Sequence, residues 1–237
     1  MLSSLGSQVT GALGAMGGSF GLGAAALGSL GGALGSLSQT LGAILPGGLM
    51  GGIESLTSPL TSAAAGLSGA GGLLGPAGSA VSQMLAGGPD AALGASQASS
   101  LFSQISQQVL GPSQALSNAG SNLMNLASSA VPGDLGALPS HLSGIGGGIS
   151  QFAGNLENVS NSFAQLSSVH SLVADQLSQP NADPSAVLGA ATPQMAQAMQ
   201  GISTGLMGAS AGANQSASSA YGAMGPAAAL SSAGPTA

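Results

Sequence analysis

Residues 13–44 read LGAMGGSFGLGAAALGSLGGALGSLSQTLGAI, and their spacing decides the fold. Taken in sevens, Leu13, Phe20, Leu27, Leu34 and Leu41 occupy one position. Met16, Leu30, Leu37 and Ile44 follow three residues later, with Gly23 breaking that row. Two apolar positions per heptad put one stripe down a helix. A glycine follows every member of the first row: Gly14, Gly21, Gly28, Gly35 and Gly42. The remainder is mostly Ala, Ser or Gly, and no charge occurs between Leu2 and Ile53. The leucine row and its glycines are therefore candidate helix-packing residues, in a bundle, an assembly or a bilayer. Gly14 and Gly18, Gly28 and Gly32, Gly31 and Gly35, and Gly48 and Gly52 add the small-xxx-small spacing that brings helices close together. Residues 1–45 read as a glycine-zipper-like apolar helical segment.

The same spacing continues in new registers. Ile53, Leu60, Leu67, Leu74 and Val81 align, accompanied by Leu56, Ala63, Ala70, Ala77 and Met84. Pro59 and Pro76 predict that this segment, 53–86, kinks or splits. A third set is Phe102, Val109, Leu116 and Leu123 with Ile105, Ala119 and Leu126, and Pro112 falls on it. The fourth is the longest unbroken stripe: Ile149, Phe152, Leu156, Val159, Phe163, Leu166, His170, Val173 and Leu177. A fifth runs Met195, Met199, Ile202, Leu206 and trails into Ala209 and Ala213.

Turn chemistry separates the sets at Pro46-Gly47-Gly48, Gly87-Gly88-Pro89-Asp90, Val131-Pro132-Gly133-Asp134 and Gln179 to Pro184. Asp90, Asp134 and Asp183 fall at predicted N-caps, where a carboxylate accepts bonds from the first free amides. Pro184 suits a first helical position, and Glu54 a first turn. Residues 91–224 read as helical hairpins with Asp N-caps, and 225–237 as a flexible Ala/Ser/Pro tail. The expected fold is all-α. It comprises about five Gly/Ala/Ser/Leu-rich helices, as an antiparallel bundle or an assembly-dependent array. Period-2 alternation is absent, so strands are not expected. Each interior glycine costs a helix about 1 kcal/mol against Ala. With 42 of them in the chain, only tertiary, oligomeric or lipid packing can hold such helices.

Composition narrows the function classes. An ordinary chain is about a quarter charged. This one is 3% charged, with six acids, no Lys and no Arg, and a formal charge of −6. Phosphate has no basic partner here, so nucleic acid is not an expected ligand. Polybasic attraction to anionic lipid is absent, and no cationic loops set a multi-span membrane topology. Solvated disorder needs low hydrophobicity, whereas the mean hydropathy is +0.45. There is no cysteine and hence no thiol chemistry. The start of the chain lacks the basic n-region of a secretory signal, so any export is expected to use a route that does not require one.

Candidate chemistry is sparse. Gly17 to Gly21 and Gly208 to Gly212 both match G-x-S-x-G, but a nucleophile elbow needs a preceding strand that neither has. His141 and His170 are the only imidazoles, fewer than a metal site requires. His170 lies on the fourth apolar stripe, where a core histidine or a register-setting polar residue is the expected role. Asn158-Val159-Ser160 and Asn214-Gln215-Ser216 match glycan sequons, which in a chain this rich in Ser arise readily by chance. No catalytic residue, cofactor or metal is expected, and the chain is read as non-enzymatic.

Two resemblances rest on composition and short phrases. Leu56-Thr57-Ser58-Pro59-Leu60-Thr61-Ser62 and Ser100-Leu101-Phe102-Ser103-Gln104-Ile105 resemble the Leu/Ser/Gln/Gly-rich C-terminal region of mycobacterial PPE proteins, substrates of ESX (type VII) secretion. That resemblance implies export without a classical signal peptide and a non-enzymatic role at or beyond the cell envelope. Ser96 to Phe102 is similar to the repetitive helical domains of egg-case and wrapping spider silks. The expected function is that of an exported, envelope-associated or secreted helical protein. It acts through self-association or by packing against a membrane or a helical partner. The alternatives are a virion-internal or membrane-penetrating conduit protein and an extracellular structural material.

Overall fold

The computed structural model describes residues 2–41, 53–129 and 136–233. The fold is all-α: among the described residues there are five long helices and no strand. They are α1 (Leu2–Leu41), α2 (Thr57–Ala86), α3 (Ala91–Ser129), α4 (Leu138–Leu177) and α5 (Pro184–Ala233). At 1.5 Å per residue, the 40 residues of α1 span about 60 Å. The Pro46 turn, Gly48, Gly52, Ile44, Gly42 and Asp134 lie outside the described residues.

The first, second and fourth apolar stripes are the buried faces of their helices. Leu126 of the third is half-buried beside buried Ala127, and on α5 Met199 and Leu206 are half-buried while Ala198 and Gly205 take the buried positions. On α1, Leu13, Met16, Phe20, Leu27, Leu30, Leu34 and Leu37 are buried. All ten stripe residues between Ile53 and Met84 are buried as well. On α4, Phe152, Leu156, Val159, Phe163, Leu166, His170 and Val173 are buried, while Leu177 is half-buried. Burial of this kind, at about 25 cal/mol per Å² of apolar surface, is what offsets the glycine cost along the helices.

The prolines do less than the sequence implies. Pro59 sits in the first turn of α2, where its missing N–H has no intrahelical partner to lose. Pro76 lies inside α2 without splitting it, and Pro112 lies inside α3. Pro112 is half-buried and the neighbouring Ser113 takes the buried position instead. The largest departure is in α5. Residues 225–233 are not a tail: the helix passes through Pro226 to Ala233, with Ala223 and Ala227 buried. Its stripe from Ala209 through Gly212, Ser216, Ala220, Ala223 and Ala227 is built from small residues, so hydropathy does not reveal it. Residues 234–237 lie outside the described set.

The helix starts agree in part with the expected caps. Asp183 caps α5: its Oδ1 accepts from the Ser185 amide at 3.0 Å and the Ser185 hydroxyl at 2.7 Å. Pro184 then takes the first helical position. Asp90 occupies the capping position of α3, its carbonyl accepting from Gly94 N–H at 2.9 Å. For α4 the start is later than expected. Ala137, not Asp134, supplies the carbonyl that accepts from His141 N–H, and Gly136 provides a positive φ just before it. Gly87 and Gly88, at φ 72 and 81, make the left-handed turn from α2 into α3.

The chain divides into two compact units that cut across the helices rather than between them. Unit 1 comprises residues 1–21, 66–110 and 156–206. Unit 2 comprises residues 22–65, 111–155 and 207–237. In unit 1, Thr10 bonds to Ser82 and Gly17 faces Gly71, so α1 and α2 run antiparallel. Ser99 with Ser167 and Ser106 with Ser160 set α3 antiparallel to α4. In unit 2, Gly144 faces Ser219 and Gly208 faces Asn155, so α4 and α5 are antiparallel.

Candidate functional site

Three features stand out, and the first is a pair of seams made of small residues. The α3 side of one seam is Ser99, Ser106, Ser113 and Gly120, a step of seven. Opposite, α4 steps back by seven: Ser167, Ser160, Ala153 and Gly146. In unit 1 the rungs are hydroxyl bonds. Ser99 Oγ donates to the Ser167 carbonyl at 2.9 Å, and Ser160 Oγ donates to the Ser106 carbonyl at 2.9 Å. In unit 2, Ser113 Oγ donates to the Ala153 carbonyl at 2.9 Å. Below it the rung is bare backbone: a Cβ on Gly146 would stand 2.8 Å from the Gly120 carbonyl oxygen.

The second seam joins α4 to α5. A Cβ on Gly148 would lie 2.8 Å from the Gly212 carbonyl oxygen, and one on Gly212 would lie 2.8 Å from Phe152 N. Buried Ser216 donates its hydroxyl across the seam to the Ile145 carbonyl at 3.2 Å. The run Gly144-Ile145-Gly146-Gly147-Gly148 thus serves two neighbours, Gly146 towards α3 and Gly144 and Gly148 towards α5. Gly94 of α3 is equally close to α2: a Cβ on it would stand 2.6 Å from Met84 N. Such contacts leave no room for a side chain between the two backbones, the role small residues play at close helix crossings.

The second feature is the outward face of α1. Leu13, Phe20, Leu27 and Leu34 are buried, as helix-packing residues should be. The side chain of Leu41 lies outside the described set. Their glycine companions are not the chain's own close-approach positions. Gly14, Gly21 and Gly28 are exposed and Gly35 is half-buried, and a Cβ on any of them meets nothing within 4 Å. The reason is angular: the residue after a stripe position is turned about 100° away from it. In unit 2 this face presents Leu22, Ala25, Gly28, Ser29 and Gly32, all exposed, with Leu22 at 73%. Among the described residues, Val9–Thr40 is the one segment long and apolar enough to cross a membrane, and most of it is not buried within the chain.

The third feature is a line of rings in unit 1. Phe20 stacks on Phe163 at 6.1 Å, Phe163 on Phe102 at 6.0 Å, and Phe102 meets His170 at 5.0 Å. His170 is 1% exposed. Its Nδ1 lies 2.7 Å from the Leu166 carbonyl oxygen, which can only accept, so Nδ1 carries the proton. Nε2 is buried without a hydrogen-bond partner among the described residues. Burial holds the His170 pKa below the ordinary histidine value, opposed in part by the Leu166 bond.

The remaining motifs resolve into helix. Ser19 is mid-helix, its hydroxyl donating to the Ala15 carbonyl at 3.2 Å, and Ser210 lies within α5. Asn158 and Asn214 are exposed, but Ser160 and Ser216 of their sequons are buried and bonded to neighbouring helices. His141 belongs to unit 2 and packs near Gly222, whereas His170 belongs to unit 1. Sequence reasoning missed Gly94, Gly120, Gly146, Gly148 and Gly212, although the step of seven through Ser99, Ser106, Ser113 and Gly120 was there to be read. Comparison with known proteins finds no matching family model, no similar curated protein and no similar solved structure.

Proposed function

We propose that this chain is a non-enzymatic packing protein, exported to the cell envelope or beyond, which acts by associating through the outward face of α1. The single observation that carries the reading is the unit 2 part of that face. Leu22, Ala25, Gly28, Ser29 and Gly32 are exposed, uncharged and small apart from one leucine. An ordinary soluble helix turns charged residues outward; α1 has none. At the internal seams, Gly120 with Gly146 and Gly148 with Gly212 bring helices to backbone contact. A second copy is the reading's principal partner, and a lipid surface or another helical protein the alternative. Export rests on the compositional likeness to type VII substrates, and fractionation of the source organism tests it.

Association is tested on the full chain by sedimentation velocity, with and without neutral-lipid vesicles. The expected result is a defined oligomer. Leu22→Glu with Gly28→Glu adds charge where no neighbouring helix is disturbed, so helicity is retained while the oligomer dissociates. Vesicle binding without self-association would shift the reading to lipid. A wild-type chain that stays monomeric and unbound, or a double variant that assembles normally, would overturn it.

A further inference from the structure

We propose that His170 makes unit 1 an acid-operated latch, in which protonation of the imidazole releases the ring stack that joins α1, α3 and α4. With Nδ1 donating to Leu166, Nε2 is the only place for a second proton, and it is buried without a partner among the described residues. An imidazolium there would be a desolvated cation lacking an acceptor, which is strongly unfavourable.

No neighbouring helix can supply the missing charge. The sequences of α1, α2 and α3 contain no Asp, Glu, His or Tyr at all. The only titratable side chain of α5 is Tyr221, which belongs to unit 2. On α4 itself the acids are Glu157 and Asp175, both exposed. Among the connections in unit 1, Asp90 is exposed and Asp183 is engaged with Ser185. Nor is there a Lys or Arg whose own ion pairs would respond to acid first. The Phe102 ring lies tilted at 57° with its centroid 5.0 Å from that of the imidazole. It does not replace an acceptor for Nε2–H.

The direction follows from linkage. The folded-state value is depressed below about 6.5, so the unfolded chain binds the proton more readily. The contribution of neutral His170 is complete above that reference and is lost as pH falls towards the folded value. Unpacking α4 there exposes Phe20, Phe102 and Phe163 together, because the rings touch in series.

The test is urea unfolding of the full chain by circular dichroism from pH 7.5 to 5.0, above the ordinary carboxylate range. The folded-to-unfolded ratio of wild type is expected to fall several-fold, and the His141→Gln chain to keep such a fall. His170→Leu is expected to give a flat profile. A flat wild type, or a His170→Leu chain with the wild-type slope, overturns the proposal. Should His170→Leu not fold, the His141→Gln chain contains one imidazole whose ring-proton resonance can be followed by NMR. That resonance should stay at its neutral position until helicity is lost. Titration at the ordinary value in a chain that remains helical would refute the latch.

Discussion

Gly148 on α4 and Gly212 on α5 are mutual contacts: a Cβ on the first would stand 2.8 Å from the carbonyl oxygen of the second, and one on the second 2.9 Å from that of the first. Backbone cannot move aside as a flexible side-chain end can. Gly28 on α1 has nothing within 4 Å. One substitution therefore has opposite effects at two places. Gly212→Ala overpacks the seam and lowers stability by about 1–3 kcal/mol. Gly28→Ala raises it by up to about 1 kcal/mol through helix propensity. Urea unfolding of both variants checks the pair, and equal signs would mean that the seam is not closed in solution.

The seryl rungs differ in the same testable way. Ser160 is 1% exposed and its hydroxyl bonds to the Ser106 carbonyl. Ser160→Ala leaves that acceptor one bond short and costs about 1 kcal/mol. The Ser150 hydroxyl, by contrast, is buried without a partner among the described residues. Ser150→Ala is expected to be neutral or stabilising. Thermal melts under one buffer decide whether the two serines separate.

Asp183 gives a prediction at lower pH. The Ser185 hydroxyl, then the Ser185 amide, hold its pKa below the usual carboxylate value, with the Ala186 amide a smaller contributor against weak desolvation. A depressed carboxylate stabilises above its unfolded value, near 3.8, and the contribution is lost as pH falls through the folded value. Asp183→Asn keeps an N-cap oxygen but no titration. It should flatten the stability profile below pH 4 and leave the His170 window unchanged.

Phe163 sits between Phe20 and Phe102, so its removal empties the middle of the stack. Phe163→Ala is expected to cost about 3–5 kcal/mol. Phe163→Leu should recover much of this. A loss below 1 kcal/mol for the alanine variant, measured by urea unfolding, would show that the rings are not packed as described.

How far the sequence could be read depended on residue size. Where the heptad carried Leu, Ile, Val, Met or Phe, the buried face was mostly legible from Leu13 on α1 to Val173 on α4, with Leu126 an exception. In the first half of α5, Met199 and Leu206 marked it one residue away from buried Ala198 and Gly205. It failed in the second half of α5, where Ala209, Ala220, Ala223 and Ala227 form the stripe amid other alanines and Pro226 imitates a stop. Asp183 was legible as a cap because its side chain does the work alone, whereas the start of α4 is set by Ala137 and Gly136. The glycine row of α1 was visible, but visibility is not contact. A repeat beside a stripe points outward, and the glycines that matter inside lie opposite one another on different helices. Spacing along one helix does not show what stands across from it.

The seams have a further consequence. Sliding α3 along α4 by one heptad, about 10 Å, would again set small residue against small residue. Ser99 would meet Ser160 and Ser113 would meet Gly146, and the bare backbone rungs would hardly register the difference. The rings would, since Phe102 would move a heptad away from His170 and leave its present place between that imidazole and Phe163. In a chain composed so largely of interchangeable small side chains, alignment has to be written in the few that are not. Phe20, Phe102 and Phe163, all fully buried, are where unit 1 stores it.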